Sequence, residues 1–254
     1  MRELRKIGRA GFVSFSGIDG AGKSTQIEAL CIRLKEDGRR VLVIRFWDDI
    51  ARLTGIREAT GHRLFRGDKG IGTPSVPINR RDKNVKSFLM SGVRLLLYLI
   101  DAISLRVGVQ RALRTDADLV IFDRYIYDEL ANLTVRNLAI QKYIRVIMKL
   151  VPRPDISYFL DADPVEARAR KPEYPLEFLY TNRQSYLELN DVIAAMTVIP
   201  SMPIEEVTRV ILGLAAGTLS FRIPEREDDN RMSHQLNGKE PNGLDRPQRR
   251  PAAS

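Results

Sequence analysis

The sequence has one cysteine, one tryptophan and two histidines in 254 residues, and it holds no long apolar run. With Cys31 alone, an intrachain disulfide is impossible, a thiolate-held metal cluster is excluded, and a reducing, cytoplasmic setting is the natural reading. The most apolar stretch, around Leu95 to Ile100, is interrupted by Asp101 and Arg106, and it falls short of the roughly 18 residues that a membrane-spanning helix needs. Near the amino end, the apolar residues Phe12 to Phe15 run straight into a glycine-rich segment. That makes them a strand and not the core of a secretion signal, so the sequon Asn132-Leu133-Thr134 reads as accidental. His62 and His234 carry no partner spacing, and Cys31 shares the apolar stripe of its helix.

Charge is present in plenty but is not concentrated. The formal net charge is +9, of which residues 221 to 254 contribute only +1. No basic run is interleaved with aromatics, so direct nucleic-acid recognition is not indicated. A globular body with a cationic surplus suits a small polyanion instead. Beyond about Pro224, large apolar residues are nearly absent. That segment buries too little surface to offset its ordering entropy and reads as a disordered polar tail over 221–254, behind one folded unit over 1–220.

Within that unit, short apolar runs alternate with helical periodicity. Phe12 to Phe15, Val41 to Ile44, Leu119 to Phe122, Ile156 to Leu160 and Thr197 to Ile199 read as strands. Between them, helices are predicted after residue 22, from Val85 through Ile100, from Ile126 through Ile147, near Val165 to Arg170, through Tyr186, and over Ile204 to Leu214. Strands joined by helices require a parallel sheet, so the predicted fold is a doubly wound α/β sheet of the P-loop type. The irregular stretch from Trp47 to Asn84 reads as loops with room for one short helix.

Gly17-Ile18-Asp19-Gly20-Ala21-Gly22-Lys23-Ser24 satisfies the phosphate-loop pattern, with a strand before it and a helix after it. Glycines let the backbone turn its N–H groups toward a phosphate, and the helix adds the positive end of its dipole. Gly17, Gly20, Ala21, Gly22, Lys23, Ser24 and Thr25 are therefore the expected ATP cradle. Lys23 reaches the β- and γ-phosphates, and Ser24 meets Mg²⁺. Asp123 ends the third apolar strand, where ligands of open α/β sheets bind, and is the second expected Mg²⁺ residue. Arg124 can clamp phosphate oxygens with its planar fork. A helix-capping Asp followed by a surface Arg is the alternative for that pair. Arg168 and Arg170 precede the stretch Lys171-Pro172-Glu173-Tyr174-Pro175 and either neutralise charge on the transferred group or form a solvated face. Arg45, Trp47, Asp101, Arg124 and Tyr125 are the candidate acceptor contacts. For Arg45 the alternative is a packed stem with a free head, for Trp47 packing, and for Asp101 a buried polar cluster.

These residues resemble the thymidylate kinase family over roughly 11 to 214. The resemblance rests on Gly17 to Gln26, on Asp123-Arg124-Tyr125, on Leu160-Asp161-Ala162-Asp163-Pro164, and on the spacing of Phe178, Arg183 and Tyr186. It implies that Asp19 helps position acceptor and phosphates, that Arg45 meets the acceptor monophosphate, and that Arg168 and Arg170 belong to a lid near 168–180. It also implies a homodimer through the long helices. The chain departs from the family at Arg45-Phe46-Trp47-Asp48, at Ala102, and at Ile126-Tyr127-Asp128-Glu129-Leu130, all on the acceptor side. The expected activity is transfer of the ATP γ-phosphoryl group to a nucleoside monophosphate, dTMP first. The alternatives are a kinase of another small molecule and a nucleotide-dependent regulatory ATPase that works through a protein partner. No Asn-Lys-x-Asp sequence that would read guanine is present.

Overall fold

The computed structural model describes residues 10–50 and 88–219. The loops expected over 51–84, the two histidines and the tail over 221–254 lie outside the described residues. Five strands form one all-parallel sheet: β1 (Gly11–Ser16), β2 (Val41–Arg45), β3 (Leu119–Asp123), β4 (Ile156–Asp161) and β5 (Thr197–Pro200), in the order β2-β3-β1-β4-β5. Seven α-helices accompany them among the described residues: α1 (Lys23–Glu36), α2 (Phe88–Ala112), α3 (Ile126–Leu130), α4 (Leu138–Leu150), α5 (Pro164–Arg170), α6 (Leu176–Ile193) and α7 (Ile204–Thr218).

The three central strands, β3, β1 and β4, are largely apolar and buried because both faces of the sheet are covered there, whereas the edge strands β2 and β5 are partly exposed. From β1 the chain moves one way along the sheet to β2, then the other way to β3, β4 and β5, so right-handed crossovers put α1 on one face and the helices from α2 to α6 on the other. Accordingly α1 packs on α7, while α2 packs on α3 and α4. Phe12, Phe122 and Tyr125 meet edge to face with ring centroids 5.3 to 5.8 Å apart and fill the centre. The order in which strands are added reverses at β1, which opens a crevice at the carboxyl ends of β1, β3 and β4.

All five predicted strands are present with small shifts at their ends. One predicted helix is corrected. The periodicity from Ile126 to Ile147 is carried by two helices, α3 and α4, broken over 131–137. The break is chemical: the Asn132 side chain donates to the Asp128 carbonyl, and Asn137 caps α4 by accepting from the N–H groups of Ala139 and Ile140. After β2, Phe46–Ile50 form a short π-helical turn that leads into the stretch read as loops with one short helix. No helix of the described residues is long and apolar enough to cross a membrane.

Candidate functional site

The loop between β1 and α1 turns on glycines in left-handed backbone, Gly20 at φ 81° and Gly22 at φ 88°. Gly20 also abuts α5, because a Cβ there would collide with the carbonyl oxygen of Ala167. Gly20→Ala is therefore expected to push the loop off α5, weakening Mg-ATP binding by about 10-fold or more and lowering the melting temperature. Calorimetric titration and a thermal melt check both effects, and unchanged binding contradicts the packing.

Lys23 opens α1, and its ammonium folds back over the loop, donating to the carbonyls of Gly17 at 2.8 Å and Ile18 at 2.9 Å. The residue is 7% exposed. Burial, with repulsion from Arg124 in second place, pulls its pKa down to about 8 from the ordinary 10.5. The third ammonium hydrogen has no partner among the described residues, so the group is a desolvated cation with a donor in hand. Ser24, next on the helix, is exposed.

Asp19 and Arg124, expected separately as a positioning carboxylate and a phosphate clamp, prove to be ion-paired, at 2.5 Å to Nη2. Arg124 is no ordinary surface arginine. Its backbone is left-handed at φ 69°, a conformation that costs a non-glycine residue about 1–3 kcal/mol. Its N–H is tied to the Phe15 carbonyl at 2.9 Å, and Nη1 lies 3.1 Å from Asp128. Burial opposes its charge, yet the carboxylates of Asp128 and Asp19 outweigh that and raise its pKa above the ordinary arginine range. Asp123 ends β3 level with Phe15 of β1 and Arg45 of β2. Arg45 is exposed, with its backbone N–H held by the Asp49 carboxylate at 2.8 Å.

On the other side of the loop, Arg170 enters a small cleft of about 80 Å³ whose lining includes Ala21, Gly22, Thr25, Pro200 and Ile204. Arg168 is half-buried and does not line it. The expected lid over 168–180 consists of the end of α5, a connection of five residues, and the first turns of α6. Lys171 in that connection reaches within 4.0 Å of Asp19, a contact the sequence did not point to.

Two acceptor candidates are relocated. Tyr125 is corrected: it is fully buried among Phe12, Phe122 and Tyr127, and its hydroxyl donates to the Pro152 carbonyl, so it is core. Asp101 is 1% exposed and sits near Tyr143, whose pKa is pushed up to about 12 by burial and then by Asp101 and Glu129. That is the buried polar cluster, the alternative for this residue. Trp47, half-buried, packs edge to face on Phe46 at 5.4 Å. Sequence reasoning missed Asp128, which accepts from Ser16, Arg124, Tyr125 and Tyr186. The signal available was a carboxylate four residues after an arginine that follows a strand end.

Comparison with known proteins follows the same division. A family profile described as methylmalonyl Co-A mutase-associated GTPase MeaB matches residues 1–55. Of the described residues that span covers β1, the phosphate loop, α1, β2 and the turn after it, and no more. Longer matches are to thymidylate kinases. A probable thymidylate kinase from Archaeoglobus fulgidus is 28% identical over 83% of this chain and 97% of its own length. One from Pyrococcus abyssi is 28% identical over 81% and 96%. A thymidylate kinase from Chlorobium luteolum is 30% identical over 63% and 65%. The solved structure of a thymidylate kinase from Candida albicans superposes with a TM-score of 0.54 at 21% identity, over 82% of this chain and 92% of that one. The resemblance expected from the motifs is borne out, and the fold is that of a P-loop kinase.

Proposed function

We propose that this chain, similar to the thymidylate kinases over four-fifths of its length, transfers the γ-phosphoryl group of ATP to a nucleoside monophosphate, converting dTMP to dTDP. The observation that carries the reading is the buried Lys23 ammonium at the start of α1, ringed by loop backbone and followed across the crevice by Arg124. Lys23, with one ammonium hydrogen unpartnered among the described residues, and Arg124, a guanidinium held between Asp19 and Asp128, together favour a polyphosphate as ligand.

Catalysis in such a site is positional and electrostatic. Lys23 and the loop amides hold the donor phosphates, and Arg124 stabilises charge spread over the transferred group. A phosphate acceptor is already ionised, so no general base is needed. Arg45 on the acceptor side and Arg170 on the donor side add positive charge. Of the two lid arginines, Arg170 is the better supported because it lines the donor cleft. Magnesium fits the residues present. Ser24 offers an exposed hydroxyl and Asp123 a carboxylate, and no described cluster of three His, Cys, Asp or Glu forms an all-protein cage. That sparse donor set suits an ion that takes most of its ligands from phosphates and water. When bound, it would screen the phosphate charge.

The test is turnover of Mg-ATP with a panel of acceptors, read as ADP and phosphorylated product. Phosphorylation of dTMP well above the other acceptors is expected. Preference for another acceptor would trace to the departures at Phe46 to Asp48. ATP hydrolysis stimulated by a protein partner, without a phosphorylated small product, would overturn the kinase reading.

The homodimer belongs to the same proposal. Val93, Leu96, Ile103 and Val107 on α2 are each 40 to 57% exposed and repeat at three-, seven- and four-residue spacing. That is the seam by which a helix packs on its own two-fold mate. Ile103→Lys is expected to shift the protein to monomer in light scattering, and a wild-type monomer at tens of micromolar contradicts the assignment.

A further inference from the structure

Asp128 lies in α3, a helix whose five residues are all buried, and it is only 4% exposed itself. Both carboxylate oxygens are fully used. Oδ1 accepts from Arg124 Nη1 at 3.1 Å and from the Tyr186 hydroxyl at 2.8 Å. Oδ2 accepts from the Ser16 hydroxyl at 2.7 Å and from the Tyr125 N–H at 3.1 Å. The donors come from the end of β1, from the segment opening α3, and from the middle of α6. Two donors on each oxygen saturate a carboxylate, so Asp128 has no lone pair left to take a proton from a substrate.

Its connection to the chemistry runs through Arg124. That guanidinium bridges two carboxylates of different standing. Asp19 sits on the phosphate loop, partly exposed, with Lys171 also beside it. Asp128 is locked from three elements. Phosphate charge arriving on the loop repels Asp19, whose side chain is 20% exposed, while the Asp128 side chain is 2% exposed and is held by its three other donors. We propose that Asp128 is a positioning residue: it anchors one arm of Arg124 so that the other arm can exchange Asp19 for a phosphate oxygen during transfer. The inference rests on the kinase reading and adds to it a residue outside the phosphate loop.

A double-mutant cycle tests it, with all proteins assayed well below their melting midpoints. Asp128→Asn is expected to lower kcat by about 10- to 100-fold while KM for ATP moves less than about threefold. In an Arg124→Ala background the same change is expected to lower kcat by less than about twofold further, because the group it positions is gone. A kcat unchanged by Asp128→Asn, or losses that multiply in the double variant, overturns the proposal. If Asp128→Asn fails to fold, Tyr186→Phe takes its place. Removing one donor loosens the carboxylate, with an expected loss of about 3- to 10-fold that vanishes in the Arg124→Ala background. A loss that persists there overturns the proposal equally. Wild-type nucleotide turnover is read first. Its absence sinks the kinase reading, whereas an active wild type with a failed cycle sinks this inference alone.

Discussion

Replacing Lys23 with methionine is expected to lower turnover by about 100- to 1,000-fold, the cost of removing one preorganised donor from a site that stabilises developing charge. The ammonium is desolvated in the free protein, so its attraction for a phosphate is not diluted by water. The same burial has a signature in stability. Lys23 titrates near 8 when folded and near 10.5 when unfolded. Between those values the unfolded chain binds the extra proton, so unfolding free energy rises with pH across that window. The difference is about 3 kcal/mol, missing at neutral pH and recovered by about pH 10.5. Other groups titrate there too, so the measurement is the wild-type curve minus the Lys23→Met curve. A difference flat between pH 8 and 10.5 contradicts the burial, and undiminished turnover contradicts the catalytic assignment. Binding follows the same logic. Bound phosphate restores the charge, so ATP affinity in the wild type is expected to fall as pH rises above 8, with protons taken up on binding, and Lys23→Met abolishes that uptake.

Arg124→Ala is expected to damage both turnover and stability. Turnover falls by about 100-fold or more, as for loss of a planar clamp on the transferring group. Stability falls because the buried Asp128 carboxylate loses its cation. Breaking a fully buried pair costs about 3–5 kcal/mol. The Arg124 side chain is 23% exposed, so a smaller loss of about 2–3 kcal/mol is expected after allowing for solvent screening. For a domain of this size that is a drop of roughly 5–10 °C in melting temperature. Arg124→Lys separates the effects: it restores the charge beside Asp128 but not the two-armed fork, so stability recovers more than turnover. Equal recovery of both would mean that only the charge matters.

The two assignments differ in how they could be reached. Lys23 was legible because the loop's chemistry is written in consecutive residues: glycines, lysine and serine at fixed spacing between a strand and a helix. The five strands were legible for a similar reason, since central strands covered on both faces demand short, mostly apolar runs. Tyr125 was misassigned to the acceptor site because a residue next to Arg124 in sequence can point the other way, into the aromatic cluster of Phe12 and Phe122. The helix from Ile126 to Ile147 was misread as continuous because its apolar spacing survives a break set by two asparagine side chains.

By itself the sequence determined the strand and helix order, the parallel sheet and the phosphate loop with Lys23, since each depends on residues close together in the chain. Only the tertiary structure decided which carboxylates hold Arg124, that Asp128 is buried under Ser16 and Tyr186, and that Lys171 reaches Asp19. Those contacts join segments more than fifty residues apart in most cases, and periodicity carries no information about which distant side chain will neutralise a buried charge.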